Sequence, residues 1–228
     1  MSEAPGSANP RVRITRRSGK VRVVAVPGGA LAVEGGRWTL GDDGVVDVRS
    51  SGGSTLEVRC AAGTDLTVGT SSGGIEIEGD AGSVRVTTAS GAVSIERATA
   101  VDARGTSGRV EVGSCTGSCV VVSVSSDVRI RAAGRAVVAT VSGDVDVEAA
   151  GDAEVKTVSG HVVLGARGGG RLVARSISGA IGVSVPADAR PAVRLRSLSG
   201  SVRRECESGS DGEIRAASTS GTITVSCR

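Results

Sequence analysis

Thr140-Val141-Ser142-Gly143-Asp144-Val145-Asp146-Val147 is the stretch on which the reading of this chain turns. Its signature is a Ser-Gly pair followed by two aliphatic residues spaced by two. The signature returns at Gly19, Gly73, Gly91, Gly108, Gly160, Gly179, Gly200 and Gly221, with Ser126 replacing glycine once and Gly53-Ser54 as a variant. From Gly53 onward the interval is 17 to 21 residues. Self-similarity at such a period marks a stacked array of structural repeats.

Each repeat carries two aliphatic files. After the glycine come residues such as Val145, Val162, Ile181 and Ile223, each with a companion two positions on: Val147, Leu164, Val183 and Val225. A spacing of two puts both on one face of a strand, and β-branched side chains suit a pleated surface. A second pair lies later in the repeat, as in Val84 and Val86 or Ala153 and Val155, and a third short strand ends at the serine, as in Thr157-Val158-Ser159. Three short sides per turn, each paired with its equivalent in the next turn, describe a parallel β-solenoid. The sequence therefore predicts an all-β protein, a single-stranded, right-handed parallel β-helix of about nine to ten coils stacked into a rod. Glycine turns the corner with positive φ, and the serine before it bonds local backbone.

The expected organisation is a flexible N-terminal tail over 1–10, N-terminal strands and a cap over 11–51, and the solenoid over 52–228. In the cap segment Trp38 covers the end of the core. At the other end the chain stops on Ile223-Thr224-Val225-Ser226-Cys227-Arg228, which reads as an open coil with no cap after it. Ile223, Val225 and Cys227 are thus the expected assembly residues. Arg204 breaks the second aliphatic file one coil earlier, either as an inward charge that discourages stacking or as a bulge that swings outward.

The 228 residues include no Phe or Tyr, one Trp and a net charge of only +3. Stacking platforms for bases are therefore missing, which argues against a specific nucleic-acid partner. Met1 to Pro10 lacks an apolar segment behind a basic start, and no apolar run approaches the roughly 20 residues of a membrane helix. Localisation is accordingly expected to be cytoplasmic.

The repeated (Thr/Ser)-x-Ser-Gly-x-(Val/Ile)-x-(Val/Ile) resembles that of the bacterial β-strand-repeat family catalogued as putative adhesins, a domain of unknown function. The resemblance covers about residues 44–228, and its architecture is loosely similar to that of the bactofilins. It implies a β-helical fold with no established active site or cofactor.

Four groups of residues stand out chemically. Asp127, Asp144 and His161 occupy the position after the corner residue in successive repeats, so they should line up about 5 Å apart. Such a column could hold a divalent metal or supply an acid and a base; without a fourth ligand or a cleft it reads as a solvated polar column. Asp146 and Glu148 should lie over Arg129 and Arg131 as register-setting ion pairs. Arg11, Arg13, Arg16 and Arg17 begin a basic run that continues to Lys20 and Arg22, read as the solvated edge of the first strand and capable at most of weak contact with a membrane surface. Cys60, Cys206 and Cys227 share a small corner position, while Cys119 belongs to an inward file and Cys115 to an adjoining turn. Cys206 and Cys227 come within possible disulfide reach, yet should stay thiols in a cytoplasm.

These readings converge on a non-enzymatic scaffold or binding protein with no cofactor, self-associating through its final coil as a dimer or filament. An adhesin-like module of the cell envelope, binding an unknown protein or envelope ligand, is the alternative. A carbohydrate-active or metal-dependent enzyme using Asp127, Asp144 and His161 is the third.

Overall fold

Inward aliphatic files and outward polar files separate along nearly every strand of the computed structural model, which describes residues 11–50 and 54–228. The fold is all-β, with no helix among the described residues, and its strand pairings are mostly parallel. The expected tail over 1–10 lies outside the described residues. Two compact units meet in sequence between Cys115 and Thr116.

In the first unit the strands are β1 (Arg11–Ser18), β2 (Val21–Val26), β3 (Ala32–Glu34), β4 (Arg37–Leu40), β5 (Val45–Ser50), β6 (Leu56–Ala61), β7 (Asp65–Ser72), β8 (Ile75–Ser90) and the start of β9 (Val93–Val122). In the second they are the end of β9, β10 (Ser125–Ala139), β11 (Val145–Ser159), β12 (Val162–Ala166), β13 (Arg171–Ser178), β14 (Ile181–Val185), β15 (Ala192–Ser199), β16 (Val202–Arg204), β17 (Glu213–Ser220) and β18 (Ile223–Cys227).

The aliphatic files stack as the repeat demands. Val145 pairs with Val162 and Val162 with Ile181, all buried. In the first unit Ile75 pairs with Val93, and Leu66 with Val84. Two short sides and a third are too fine a division, however. β8 runs 16 residues and β11 runs 15, because the ladder continues around corners lined by small residues. Slips of register between Ile77 and Asp80, and between Val147 and Ala150, mark where those corners absorb an extra residue.

Order in space departs from order in sequence near both ends. β1 pairs with β5 on one side and β7 on the other, and β2 likewise lies between β6 and β8. The described part of the 11–51 segment, residues 11–50, is therefore interleaved with the later strands, and β1 is paired on both sides rather than being an edge. β3 and β4 add antiparallel to β6 and β5, with Trp38 opposite Val48. In the second unit β17 lies between β13 and β15, and β18 between β14 and β16. Ile223 and Val225 are thus fully buried, and the chain's last strand has no free edge. The physical cause is equivalence: Ile223 presents to Ile181 a β-branched aliphatic side chain as Val202 of the next repeat in sequence would, so β18 can slot in before the coil that precedes it.

The corner glycines record this order. At Gly160, φ is +120°, and a Cβ there would lie 2.3 Å from the carbonyl oxygen of Gly143. Gly221 stands in the same relation to Gly179, and Gly200 to Gly221. Each of these three glycines rests on the backbone of the neighbouring corner, which is why a side chain is excluded there.

Candidate functional site

The column at Asp127, Asp144 and His161 forms as a ladder of carboxylate-to-backbone bonds. The Asp144 N–H donates to Asp127 Oδ1 at 3.2 Å and the His161 N–H to Asp144 Oδ1 at 2.8 Å, with His161 Nδ1 3.3 Å from the same oxygen. The backbone N–H of His161, and secondarily its ring, holds the Asp144 carboxyl below the ordinary aspartate range. The His161 and Asp144 side chains are 71% and 65% exposed. The Asp127 and Asp144 carboxylates each accept from the coil that follows, so the column sets register. Among the described residues no group of three His, Cys, Asp or Glu side chains is arranged to hold a metal ion.

The same device recurs where sequence reading gave no site. Asp65 accepts from the Ser83 N–H at 2.7 Å, Asp152 from the Arg171 N–H at 2.8 Å, and Asp211 from the Arg190 N–H at 3.1 Å. Glu96 accepts from the Gly79 N–H, which is the main cause of its lowered pKa. The available signal was a carboxylate lying one repeat from a backbone N–H at a corner, and only the known stacking order makes it visible. The expected ion pairing is present in part: Arg129 lies 3.0 Å from Asp146 and 3.7 Å from Glu148.

The basic run divides. Arg16 is buried at 3% exposure, its guanidinium donating to the carbonyls of Ser18, Lys20 and Ser54. It occupies an inward file that other repeats fill with Thr70 or Thr88, so it fastens a corner and is withdrawn from any surface contact. Arg11 reaches the Asp43 carbonyl and Arg13 the Asp47 carboxylate at 3.5 Å. Arg17 is exposed.

Cys206 and Cys227 form a disulfide across a Cα–Cα distance of 5.5 Å, contrary to the expectation of thiols. Their strands' neighbourhood explains it, because β18 lies directly beside β16 and brings the two corners together. Cys227 is thereby committed to a cross-link, and with Ile223 and Val225 it is removed from the expected assembly surface. Cys60, Cys115 and Cys119 are buried and outside any disulfide, Cys115 within β9 rather than in a turn; burial raises the Cys60 pKa. Arg204 turns outward, donating to the Cys206 carbonyl at 2.8 Å and to Ser208 Oγ.

Two surfaces remain. Among the described residues β15 pairs with β17 alone and β16 with β18 alone, so both have a bare edge. Leu198 and Val202 are 74% and 47% exposed there. In the first unit a groove of about 930 Å³ lies over the outer face of β1, β4 and β5, lined by Thr15, Arg17, Arg37, Thr39, Asp47 and Arg49 among others. Among the described residues no helix is long and apolar enough to cross a membrane.

A solved structure described as a putative adhesin from Bacteroides fragilis is similar in fold, with a TM-score of 0.54 at 11% identity, over 99% of this chain and 95% of that one. A putative cell adhesion protein from Clostridium sporogenes aligns over 98% of this chain and 94% of its own at 9% identity, but with a TM-score of 0.23, too loose to support any inference. No curated protein matches the chain. The repeat of corner glycines and aliphatic files coincides with a match to one family over residues 4–227, and the chain belongs to that family, Toastrack DUF4097.

Proposed function

We propose that this protein is a non-enzymatic β-solenoid scaffold, with right-handed coils and β3–β4 as the cap of its first unit, that takes up a strand of an acidic partner along β15 and β16. The observation carrying this reading is the one-sided pairing of those two strands. A bare strand edge offers unpaired N–H and C=O groups to an extended chain, and neighbouring side chains select which chain is accepted. β15 and β16 contribute Arg194, Arg196, Arg203 and Arg204 and no acidic residue. None of Arg194, Arg196 and Arg203 has an ion-pair partner among the described residues. Two-fold pairing of one copy with another would set these arginines against their own counterparts, which is unfavourable. An alternating acidic strand meets opposite charge instead.

The test uses two labelled ten-residue peptides, one alternating Glu and Val and one alternating Lys and Val, read by fluorescence anisotropy beside light scattering of the free protein. The Glu peptide should bind, the Lys peptide should not, and Arg194→Glu/Arg196→Glu should reverse the preference. A free protein that scatters as a stable dimer, or indifference to peptide charge, would overturn the acidic-partner reading.

A specific observation also favours an adhesin-like module of the cell envelope over a cytoplasmic protein. The Cys206–Cys227 disulfide belongs with an oxidising compartment, and the similar fold of the Bacteroides fragilis protein is consistent with it. Alkylating thiols at the moment of cell lysis should leave these two cysteines unlabelled; full labelling of both would return the protein to the cytoplasm.

A further inference from the structure

We propose that the groove over β1, β4 and β5 binds an acidic sugar, with Arg37 and Arg49 gripping its carboxylate. Arg37 and Arg49 are directly opposite in the antiparallel β4–β5 pair, and Arg49 is next to Thr15 of β1 on its other side. Arg17 follows two positions along β1 on the same exposed face. Like charges directly across a ladder repel, and no carboxylate pairs with Arg17, Arg37 or Arg49 among the described residues. The one acid in the groove, Asp47, is already 3.5 Å from Arg13. Nearby charges are matched: Lys20 meets Glu76 at 2.6 Å, and Arg22 meets Glu78 through two hydrogen bonds. The groove thus concentrates guanidinium groups whose counter-charge the described residues do not supply.

The other lining groups narrow the ligand class. A guanidinium fork matches a carboxylate in two parallel bonds. Thr15 and Thr39 bring hydroxyls and Asp47 an acceptor, the complement that ring hydroxyls of a sugar require. Asp47 also penalises a doubly charged phosphate more than a singly charged carboxylate. Bases would find no aromatic face, since the chain's one Trp, Trp38, sits on the opposite side of β4 from Arg37 and Thr39. A volume of about 930 Å³ exceeds the needs of a lone ion and falls within the range of small-molecule sites. A uronate unit of a polysaccharide meets all of these conditions.

Calorimetric titration of the full chain with trigalacturonate, neutral galactotriose and inorganic phosphate tests the assignment. Trigalacturonate should bind at least tenfold more tightly than either of the others. Arg37→Ala/Arg49→Ala should weaken it by roughly ten- to a hundredfold, the loss of a charge-assisted pair of contacts. Arg215→Ala, in the second unit, should leave it unchanged. Should the double alanine variant fail to fold, Arg37→Lys/Arg49→Lys keeps the charge without the fork and should still lose affinity. Equal affinity for phosphate would reduce the groove to a simple oxyanion site, equal affinity for galactotriose would remove the charge argument, and wild-type binding by the lysine variant would remove the fork; each outcome overturns the proposal.

Discussion

Replacing Gly160 by alanine puts the stacked corners to a direct test. The residue sits at φ +120°, and its new Cβ would lie 2.3 Å from the Gly143 carbonyl oxygen and 2.9 Å from the carbonyl carbon. Backbone in this region costs a residue with a Cβ roughly 1–2 kcal/mol, and forcing an extra methyl against main chain that cannot rotate away costs roughly 1–3 kcal/mol more. Together these give a destabilisation of roughly 2–5 kcal/mol, which for a chain of this length lowers Tm by roughly 4–20 °C. Gly168 is the control: nothing lies within 4 Å of a Cβ built there, and its φ is outside the positive region. Gly168→Ala should be neutral or stabilise by about 0.4–1 kcal/mol through the unfolded chain. Thermal unfolding followed by circular dichroism at fixed scan rate compares the two. If Gly160→Ala melts within a degree of Gly168→Ala, the corners do not bear on one another and the stacking argument fails.

The disulfide closes a loop with a sequence separation of 21, for which chain entropy gives about 3 kcal/mol of stabilisation. Urea unfolding of Cys206→Ser/Cys227→Ser should show a loss of that order, and an unchanged midpoint would contradict the cross-link. Asp144→Ala should have a pH signature. The Asp144 pKa is depressed in the folded chain, so its stabilisation is fully present above the unfolded value of about 3.9 and lost as pH falls through the lower folded value. The gap between wild type and variant in denaturant midpoint should hold from pH 7 to about 5 and shrink as the pH falls below the unfolded aspartate value. With the side chain 65% exposed the gap should stay below about 1 kcal/mol. A gap that grew on acidification would reverse the assignment.

The aliphatic files were legible because burial leaves a period in the sequence: the spacing alone pairs Val145, Val162 and Ile181. Stacking order near the ends was not legible, for the same reason. Val21 fits Ile75 as well as it fits Leu56, and Ile223 fits Ile181 as well as Val202, so periodicity names equivalent coils without saying which ones touch. Arg204 did carry a trace of the answer, since among the described residues β16 has a neighbour on one side alone, which leaves its guanidinium room to turn outward. The basic stretch at Arg11 to Arg17 looked uniform, yet alternation buries Arg16 and exposes Arg17. The groove was beyond sequence reading, because it depends on β4 folding back antiparallel to bring Arg37 beside Arg49.

Intercalation of β17 and β18 has a consequence for biogenesis. A ribosome delivers β15 and β16 before the residues that must separate them from β13 and β14. Growth of the stack by simple addition therefore stalls at that point, and the nascent segment has to wait unpaired, or pair provisionally in the wrong place, until β17 and β18 have been made. β17 and β18 act as a wedge driven in after their neighbours, so their emergence from the ribosome is the step that completes the order of the second unit.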